Sequence, residues 1–152
     1  DYPMTFAPDP EILALLASGD ATFALVQNGQ IVHKVFGRGV GPALAALDER
    51  PDLLRGAVVY DTIVGKAAAA LFVLGGAQSV YAETISDAAV ALLQEAGIAC
   101  CWQTRTGQII NRRGDGLCPF EQAVLICQTP EACLPVIRQT LARLRAASGP
   151  VK

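Results

Sequence analysis

One of the five cysteines stands where a helix is predicted to begin. Pro119 suits the first helical position, which places Cys118 at the cap and Glu121 at the third helical position. Free backbone N–H groups and the helix dipole favour a thiolate at such a position, so Cys118 is the candidate nucleophile. The structural alternative is a half-buried cysteine beside a Glu121 side chain that caps the backbone.

A lysine at the start of another predicted helix also needs an explanation. Lys66 faces the positive end of the helix dipole, which costs roughly a few tenths of a kcal/mol. It follows Asp61-Thr62-Ile63-Val64-Gly65, interpreted as the connection between a buried strand and the helix. Lys66 is placed either to pair with Asp61 or to bind an anionic ligand at the carboxyl edge of the sheet, where open α/β sheets form their pockets. The alternative is a solvated lysine over a helix end.

A third polar turn, Thr84-Ile85-Ser86-Asp87, follows the next predicted strand. Ser86 or Asp87 suits the cap of the helix that follows, which is the structural interpretation. Crossover geometry places this turn beside the preceding one, so the sequence predicts a ligand site at this sheet edge. The predicted ligand-binding residues are Asp61, Thr62, Gly65, Lys66, Ser86, Asn111 and Glu121, and the predicted catalytic pair is Cys118 with Lys66.

The sequence offers few ligands for a metal. The single histidine, His33, lies in a predicted hairpin with no partner at ligand spacing. Cys100 and Cys101 are adjacent on a predicted strand, so their side chains point to opposite faces. Because the chain also has no Cys-x-x-Cys pair, we predict no metal site and no cofactor.

Two glycine-containing loops match phosphate-binding loops only in part. Ala67 follows Gly65-Lys66 at the position where a phosphate loop needs Ser or Thr for Mg²⁺. The run Gly37-Arg38-Gly39-Val40-Gly41 lies between a strand and a helix, where phosphates bind, but its glycine spacing is not that of a dinucleotide fold. A tightly turned connection is the favoured interpretation of this run.

Helix and strand signals alternate along the chain. Asp9-Pro10-Glu11 begins a first helix, and Asn28-Gly29 between two β-rich runs predicts an antiparallel hairpin. Further strands are predicted over 57–60, 79–85 and 98–104, and further helices over 42–54, 66–74 and 88–96, from Pro119 and from Thr129. This alternation favours parallel strands joined by crossovers, with helices on both faces. We predict an α/β fold with three layers (α/β/α), a mixed sheet of about five strands and an N-terminal antiparallel hairpin.

Composition limits the class of protein. With 152 residues, of which 52% are hydrophobic and 17% charged, the chain is predicted to be one domain over 1–152 with an irregular start over 1–8. A net charge of −2 gives no footprint for a nucleic-acid polymer, and the longest apolar run is too short for a membrane span. The low charge favours a homo-oligomer. The odd number of cysteines and the lack of a recognisable secretory signal favour the cytoplasm.

Four runs of the sequence resemble a known family, the domain of unknown function 1893. They are Gly39-Val40-Gly41-Pro42, Asp61-Thr62-Ile63-Val64-Gly65-Lys66-Ala67-Ala68-Ala69, Ser86-Asp87-Ala88 and Ile110-Asn111-Arg112-Arg113-Gly114-Asp115-Gly116-Leu117-Cys118-Pro119-Phe120-Glu121. The resemblance covers nearly the whole chain, and it implies a fold similar to that of cytidine deaminases. Where a zinc deaminase carries His-x-Glu, this chain has Lys66-Ala67-Ala68, and it has Ile85-Ser86-Asp87-Ala88-Ala89 where Pro-Cys-x-x-Cys would stand. The resemblance therefore implies a zinc-free member of that fold.

Three functions remain open from the sequence. The first is a deaminase-like domain that binds a small anionic or nucleotide-like ligand at the Asp61/Lys66/Ser86 edge. The second is an enzyme with Cys118 as nucleophile, Lys66 holding the thiolate, and Glu121 or Asn111 orienting the substrate. The third is a non-catalytic oligomeric or regulatory module that associates through the apolar faces of the hairpin and the last helix.

Overall fold

Five strands and seven helices form the part of the chain that the computed structural model describes, residues 6–148. In chain order they are α1 (Pro10–Ser18), β1 (Phe23–Gln27), β2 (Gln30–Val35), α2 (Gly41–Glu49), α3 (Pro51–Leu54), β3 (Val58–Val64), α4 (Lys66–Gly75), β4 (Ser79–Ser86), α5 (Asp87–Glu95), β5 (Ala99–Thr106), α6 (Pro119–Val124) and α7 (Pro130–Ser148). Residues 6–9 belong to no helix or strand. The rest of the predicted irregular start, residues 1–5, lies outside the described residues.

The predicted hairpin is confirmed. Asn28 and Gly29 have φ angles of 52° and 74°, the pair of positive values that a two-residue turn of this type requires. This turn joins β1 to β2 as antiparallel neighbours, and β1 also pairs antiparallel with β3 on its other side. The hairpin therefore enters the sheet through β1 and leaves β2 at the edge.

The remaining strands form the parallel half of the sheet. β3 pairs with β4 and β4 with β5, both parallel, in the overall order β2-β1-β3-β4-β5. This arrangement confirms a mixed α/β sheet of five strands. β5, at the second edge, is two residues longer at its end than predicted.

β3 is longer than the sequence indicated, and this corrects the interpretation of the residues after Tyr60. We expected a connection from Asp61 onward, but the strand continues to Val64. Asp61 lies opposite Phe23 of β1 and Ala82 of β4, so it is held from both sides in the middle of the sheet. Strand pairing on two sides outweighs the weak β propensity of aspartate.

Helices lie on both faces of the sheet, but unequally. α2 to α7 pack on one face around a large apolar cluster that includes Phe23, Val59 and Phe72. On the other face, Ile12 and Leu16 of α1 pack on a small cluster with Tyr60 and Tyr81. We expected the crossovers to supply helices to both faces. Since β3, β4 and β5 follow one another in a single direction, their right-handed crossovers place α4 and α5 on the same face.

α7 is the longest helix, with 19 residues, and its predicted apolar stripe faces the large cluster. Ile137 is fully buried, and Leu134, Leu141 and Leu144 are partly buried against the same core. Within residues 6–148, no helix combines the length and the apolar character that crossing a membrane requires.

Candidate functional site

A cleft of about 850 Å³ opens at the carboxyl end of β3. Its sides come from the loop between β2 and α2, the loop between β5 and α6, the start of α6 and the end of α7. Apolar residues form much of the wall, and they include Val40, Pro42, Ala68, Ile109, Phe120, Leu144 and Ala147. This volume lies within the range of small-molecule and cofactor sites.

Six of the eight predicted site residues line this cleft. They are Asp61, Thr62, Gly65, Asn111, Cys118 and Glu121. The two exceptions, Lys66 and Ser86, are not among the residues that line it. Residues about 50 positions apart in the sequence thus share one site.

Asp61 is the buried acidic group of the cleft. Its residue is only 6% exposed, and its Oδ1 accepts a hydrogen bond of 2.8 Å from the backbone N–H of Thr62. Within residues 6–148 it forms no ion pair with a cationic side chain. Burial raises the pKa of the Asp61 carboxyl well above its usual value, and the hydrogen bonds with Thr62 oppose the shift. The predicted pairing of Asp61 with Lys66 is absent.

Lys66 reaches away from the cleft. Its Nζ donates hydrogen bonds to the backbone oxygens of Cys127, at 2.5 Å, and Leu125, at 3.5 Å. These carbonyls follow the end of α6, where helical carbonyls lack partners within the helix. Lys66 therefore stabilises the chain between α6 and α7, and its ammonium group is engaged away from Cys118, so the two do not form the predicted pair.

Glu121 occupies the amino end of α4. Its Oε1 accepts a 2.7 Å hydrogen bond from the N–H of Lys66, and its Oε2 accepts one of 3.0 Å from the N–H of Ala67. Gly65 lies so close that a Cβ at this position would overlap the Glu121 carboxyl group. Glu121 thus caps α4 rather than its own helix, and the anion position at this helix end is filled by the protein itself.

Ser86 has the structural role that the sequence allowed. Its Oγ accepts a hydrogen bond of 3.1 Å from the N–H of Ala89, which makes it the cap of α5. The residue is 2% exposed. Ser86 therefore caps its helix and does not line the cleft.

Cys118 is the residue before α6, as predicted, and lies half-buried in the wall of the cleft. Its side chain makes no capping hydrogen bond to the helix. Its backbone N–H donates to the oxygen of Ile109, which closes the loop between β5 and α6. Cys118 lines the cleft, but its predicted partner Lys66 donates to the carbonyls that follow α6.

Asn111 organises the loop between β5 and α6. Its Oδ1 accepts hydrogen bonds from the N–H groups of Gly114, at 2.8 Å, and Asp115, at 3.3 Å. Its Nδ2 donates to Asp115 Oδ1 at 2.9 Å, and its backbone N–H donates to the oxygen of Gly116. These bonds hold the turn that carries Arg112 and Arg113 over the cleft.

Three arginines line the cleft, and none of them is among the site residues predicted from the sequence. Arg38 comes from the loop between β2 and α2, and Arg112 and Arg113 from the loop between β5 and α6. Arg113 Nε lies 3.7 Å from Asp115 Oδ2. Neither Arg38 nor Arg112 has an ion-pair partner in residues 6–148. The available signal was the run from Gly37 to Gly41, whose position between strand and helix is typical of phosphate binding.

The residues described hold no group of three or more His, Cys, Asp or Glu side chains placed to bind a metal ion. Over the same residues, the five cysteines form no disulfide with one another. Cys133 is fully buried, and burial raises the pKa of its thiol to about 11.

Comparisons with known proteins agree with the resemblance in the sequence. The crystal structure of a DUF1893 family protein from Thermotoga maritima is similar to this chain, with a TM-score of 0.73 and 28% sequence identity, over 88% of this chain and 87% of that one. A comparison with curated proteins gives no match. The family model described as Domain of unknown function (DUF1893) matches residues 11–141. The chain belongs to the DUF1893 family.

Proposed function

We propose that the cleft binds a small organic anion of about nucleotide size. The observation that carries this proposal is the set of three arginines that line one cleft in a chain whose net charge is −2. Two of them, Arg38 and Arg112, have their guanidinium groups unpaired within residues 6–148. A guanidinium group presents a rigid, planar set of donors that suits a phosphate or carboxylate.

The apolar wall supports an organic ligand rather than a bare inorganic ion. Val40 and Phe120 are mostly buried in the core, and both line the cleft. Clefts of this size that combine apolar walls with a few polar groups are typical of organic ligands. The ligand would place its charged group near the arginines and its uncharged part against the wall.

This proposal moves the predicted ligand site by a short distance. Asp61, Thr62, Gly65, Asn111 and Glu121 remain in it, whereas Arg38, Arg112 and Arg113 replace Lys66 and Ser86 as the groups that attract an anion. Cys118 remains in the site as well, but nothing in its surroundings supports a catalytic role over a simple contact. The predicted self-association stays a prediction.

We further propose that the fold is related to that of cytidine deaminases. Supporting this, β1 runs antiparallel to both of its neighbours while β3, β4 and β5 run parallel, with α4 and α5 as the crossovers. The amino end of α4, where the resemblance would place the first zinc motif, is occupied by the Glu121 carboxylate. On this proposal a side chain of the protein stands near the position that a metal takes in the zinc enzymes.

The binding proposal is tested by calorimetry with the four common nucleoside 5′-monophosphates, ribose 5-phosphate and inorganic phosphate. We expect nucleotides to bind more tightly than inorganic phosphate, and the variants Arg38→Gln and Arg112→Gln each to weaken binding by about tenfold, since charged hydrogen bonds are worth about 1.5–3 kcal/mol. The matched control is Arg55→Gln, because Arg55 precedes β3 and lies at the opposite end of that strand. Equal weakening by the control, or no binding of any of these probes, would contradict the proposal.

A further inference from the structure

We infer that Asp61 is a neutral hydrogen-bond donor at the floor of the cleft, and that the ligand presents a hydrogen-bond acceptor to it. The acceptor is a carbonyl oxygen or an aromatic ring nitrogen, at the end of the ligand remote from its anionic group. This inference rests on the proposed function of the cleft and specifies the other half of the ligand.

The charged groups of the cleft lie at different depths, which determines how a ligand is oriented. Arg38, Arg112 and Arg113 are exposed, whereas Asp61 is 6% exposed and lies in the middle of the sheet. A ligand whose anionic group meets the arginines therefore points its other end toward Asp61. Since the two ends meet groups of different chemistry, the cleft selects for a ligand with two different ends.

The surroundings of Asp61 favour its protonated form. Its strand neighbours are Phe23 and Ala82, neither of which offers a cation or a side-chain donor. An ionised carboxylate buried without a cation is costly, even with hydrogen bonds from Thr62, and such a group usually takes up a proton instead. The protonated carboxyl keeps one O–H to donate, and the side on which Asp61 meets open space is the cleft.

In the part of the chain that the structure describes, no cationic side chain forms an ion pair with Asp61. On α4, the Lys66 ammonium donates to carbonyls beyond α6, and on α6 the Glu121 carboxylate is held by two backbone N–H groups. β2 contributes His33, whose ring meets the edge of Phe23. The other charged or titratable side chains that line the cleft are Arg38, Arg112, Arg113 and Cys118.

Unfolding experiments without ligand test whether the Asp61 carboxyl carries a proton in the folded state. Burial raises the pKa of the Asp61 carboxyl in the folded state. Above the usual aspartate pKa, the folded state then holds a proton that the unfolded state has lost, so the stability contributed by Asp61 falls as pH rises. Asp61→Asn should therefore be more stable than the wild type near pH 8, and the difference should vanish near pH 3. A difference that does not change with pH would overturn the inference.

The ligand is tested with uridine 5′-monophosphate as the probe and ribose 5-phosphate as the control, between pH 5 and pH 8. Ribose 5-phosphate has the same anionic group but no ring, so it reports the titration of the phosphate itself. Relative to this control, we expect the wild type to lose affinity for the nucleotide as pH rises. Asp61→Asn, which keeps a donor, should bind the nucleotide with no such loss, and Asp61→Ala should bind it about tenfold more weakly.

The outcomes separate this inference from the proposed function. If Asp61→Ala binds the nucleotide as tightly as the wild type while Arg112→Gln binds it weakly, the inference is overturned and the anion site stands. If neither probe binds the wild type, both are overturned. Asp61→Asn that binds as weakly as Asp61→Ala would also overturn the inference, because the donor would then have no importance.

Discussion

Two carboxyl groups meet the same cleft in opposite circumstances. Glu121 accepts two hydrogen bonds from the amino end of α4, and Gly65 leaves just enough space for it. Asp61, on β3, accepts a hydrogen bond from the N–H of Thr62 and is buried with no cationic partner among residues 6–148. Two backbone N–H groups hold the Glu121 carboxylate, whereas burial raises the pKa of the Asp61 carboxyl.

The difference indicates where a ligand can act. A helix end that already holds a carboxylate has no need of an external anion, although the sequence made it the natural candidate. A buried carboxyl group without a cation costs free energy when it ionises, and proteins accept such costs mainly at functional sites. Four measurements distinguish the groups that stabilise the fold from those that meet a ligand, and the largest effect is expected at Gly65.

Gly65→Ala should be the most destabilising change. The added Cβ overlaps the Glu121 carboxyl group, so either Glu121 leaves its two N–H donors or the backbone shifts, at a cost of about 2–3 kcal/mol. The measurement is urea unfolding at pH 7. Gly41→Ala is the matched control, because a Cβ there meets nothing within 4 Å and alanine favours a helix. Equal losses at the two glycines would mean that Glu121 does not depend on the space at Gly65.

Glu121→Gln should cost about 1–2 kcal/mol. The amide has one oxygen where the carboxylate has two, so one of the two N–H groups of α4 loses its acceptor and the favourable interaction with the helix dipole is lost. Thermal unfolding measures the loss. Glu131→Gln is the control, since Glu131 is an exposed acid in the first turn of α7. A loss no larger than in the control would remove the contrast between Glu121 and Asp61.

Lys66→Met should cost about 1 kcal/mol and leave anion binding unchanged. Methionine keeps most of the side-chain volume but cannot donate to the oxygens of Leu125 and Cys127. Unfolding and calorimetry on the same sample separate the two effects. A loss of nucleotide affinity similar to that of Arg112→Gln would show that Lys66 contributes to the ligand site and not only to stability.

The smallest expected effect is a change in the rate at which single cysteines are labelled. At pH 8, iodoacetamide should modify the half-buried Cys118 well before Cys133, because Cys133 is fully buried and burial raises the pKa of its thiol. Peptide mass mapping over time measures both rates. Addition of uridine 5′-monophosphate should slow the reaction of Cys118 alone. Unchanged labelling of Cys118 in the presence of bound nucleotide would show that the ligand avoids this wall of the cleft.

Local signals in the sequence were sufficient for much of the fold. Asn28-Gly29 defines its hairpin because both residues tolerate positive φ, and Ser86 caps α5 through an atom three residues from its donor. β3 was predicted too short because pairing with two neighbouring strands, and not local propensity, carries it past Asp61 to Val64.

The contacts of the site depend on residues far apart in the chain. The partners of Lys66 are carbonyls some 60 positions later, and a lysine at a helix start carries no sign of them. The same holds for Glu121, whose donors are more than 50 positions earlier. Arg112 and Arg113 sit in a polar loop, where arginines are usually solvated, so only the cleft identifies them. Asp61 lines the cleft, but its pairing with Lys66, one of the two alternatives that the sequence offered, is absent.

The unequal covering of the sheet has a consequence for how the molecule opens. α1 is held on its face by a small apolar cluster and by the N–H of Asp9, which donates to the hydroxyl of Tyr60 at 2.9 Å. Elements with few buried contacts open by local unfolding, without the rest of the domain. The amide protons of α1 should therefore exchange with deuterium long before those of α4, and the exchange of α1 should be independent of the global stability.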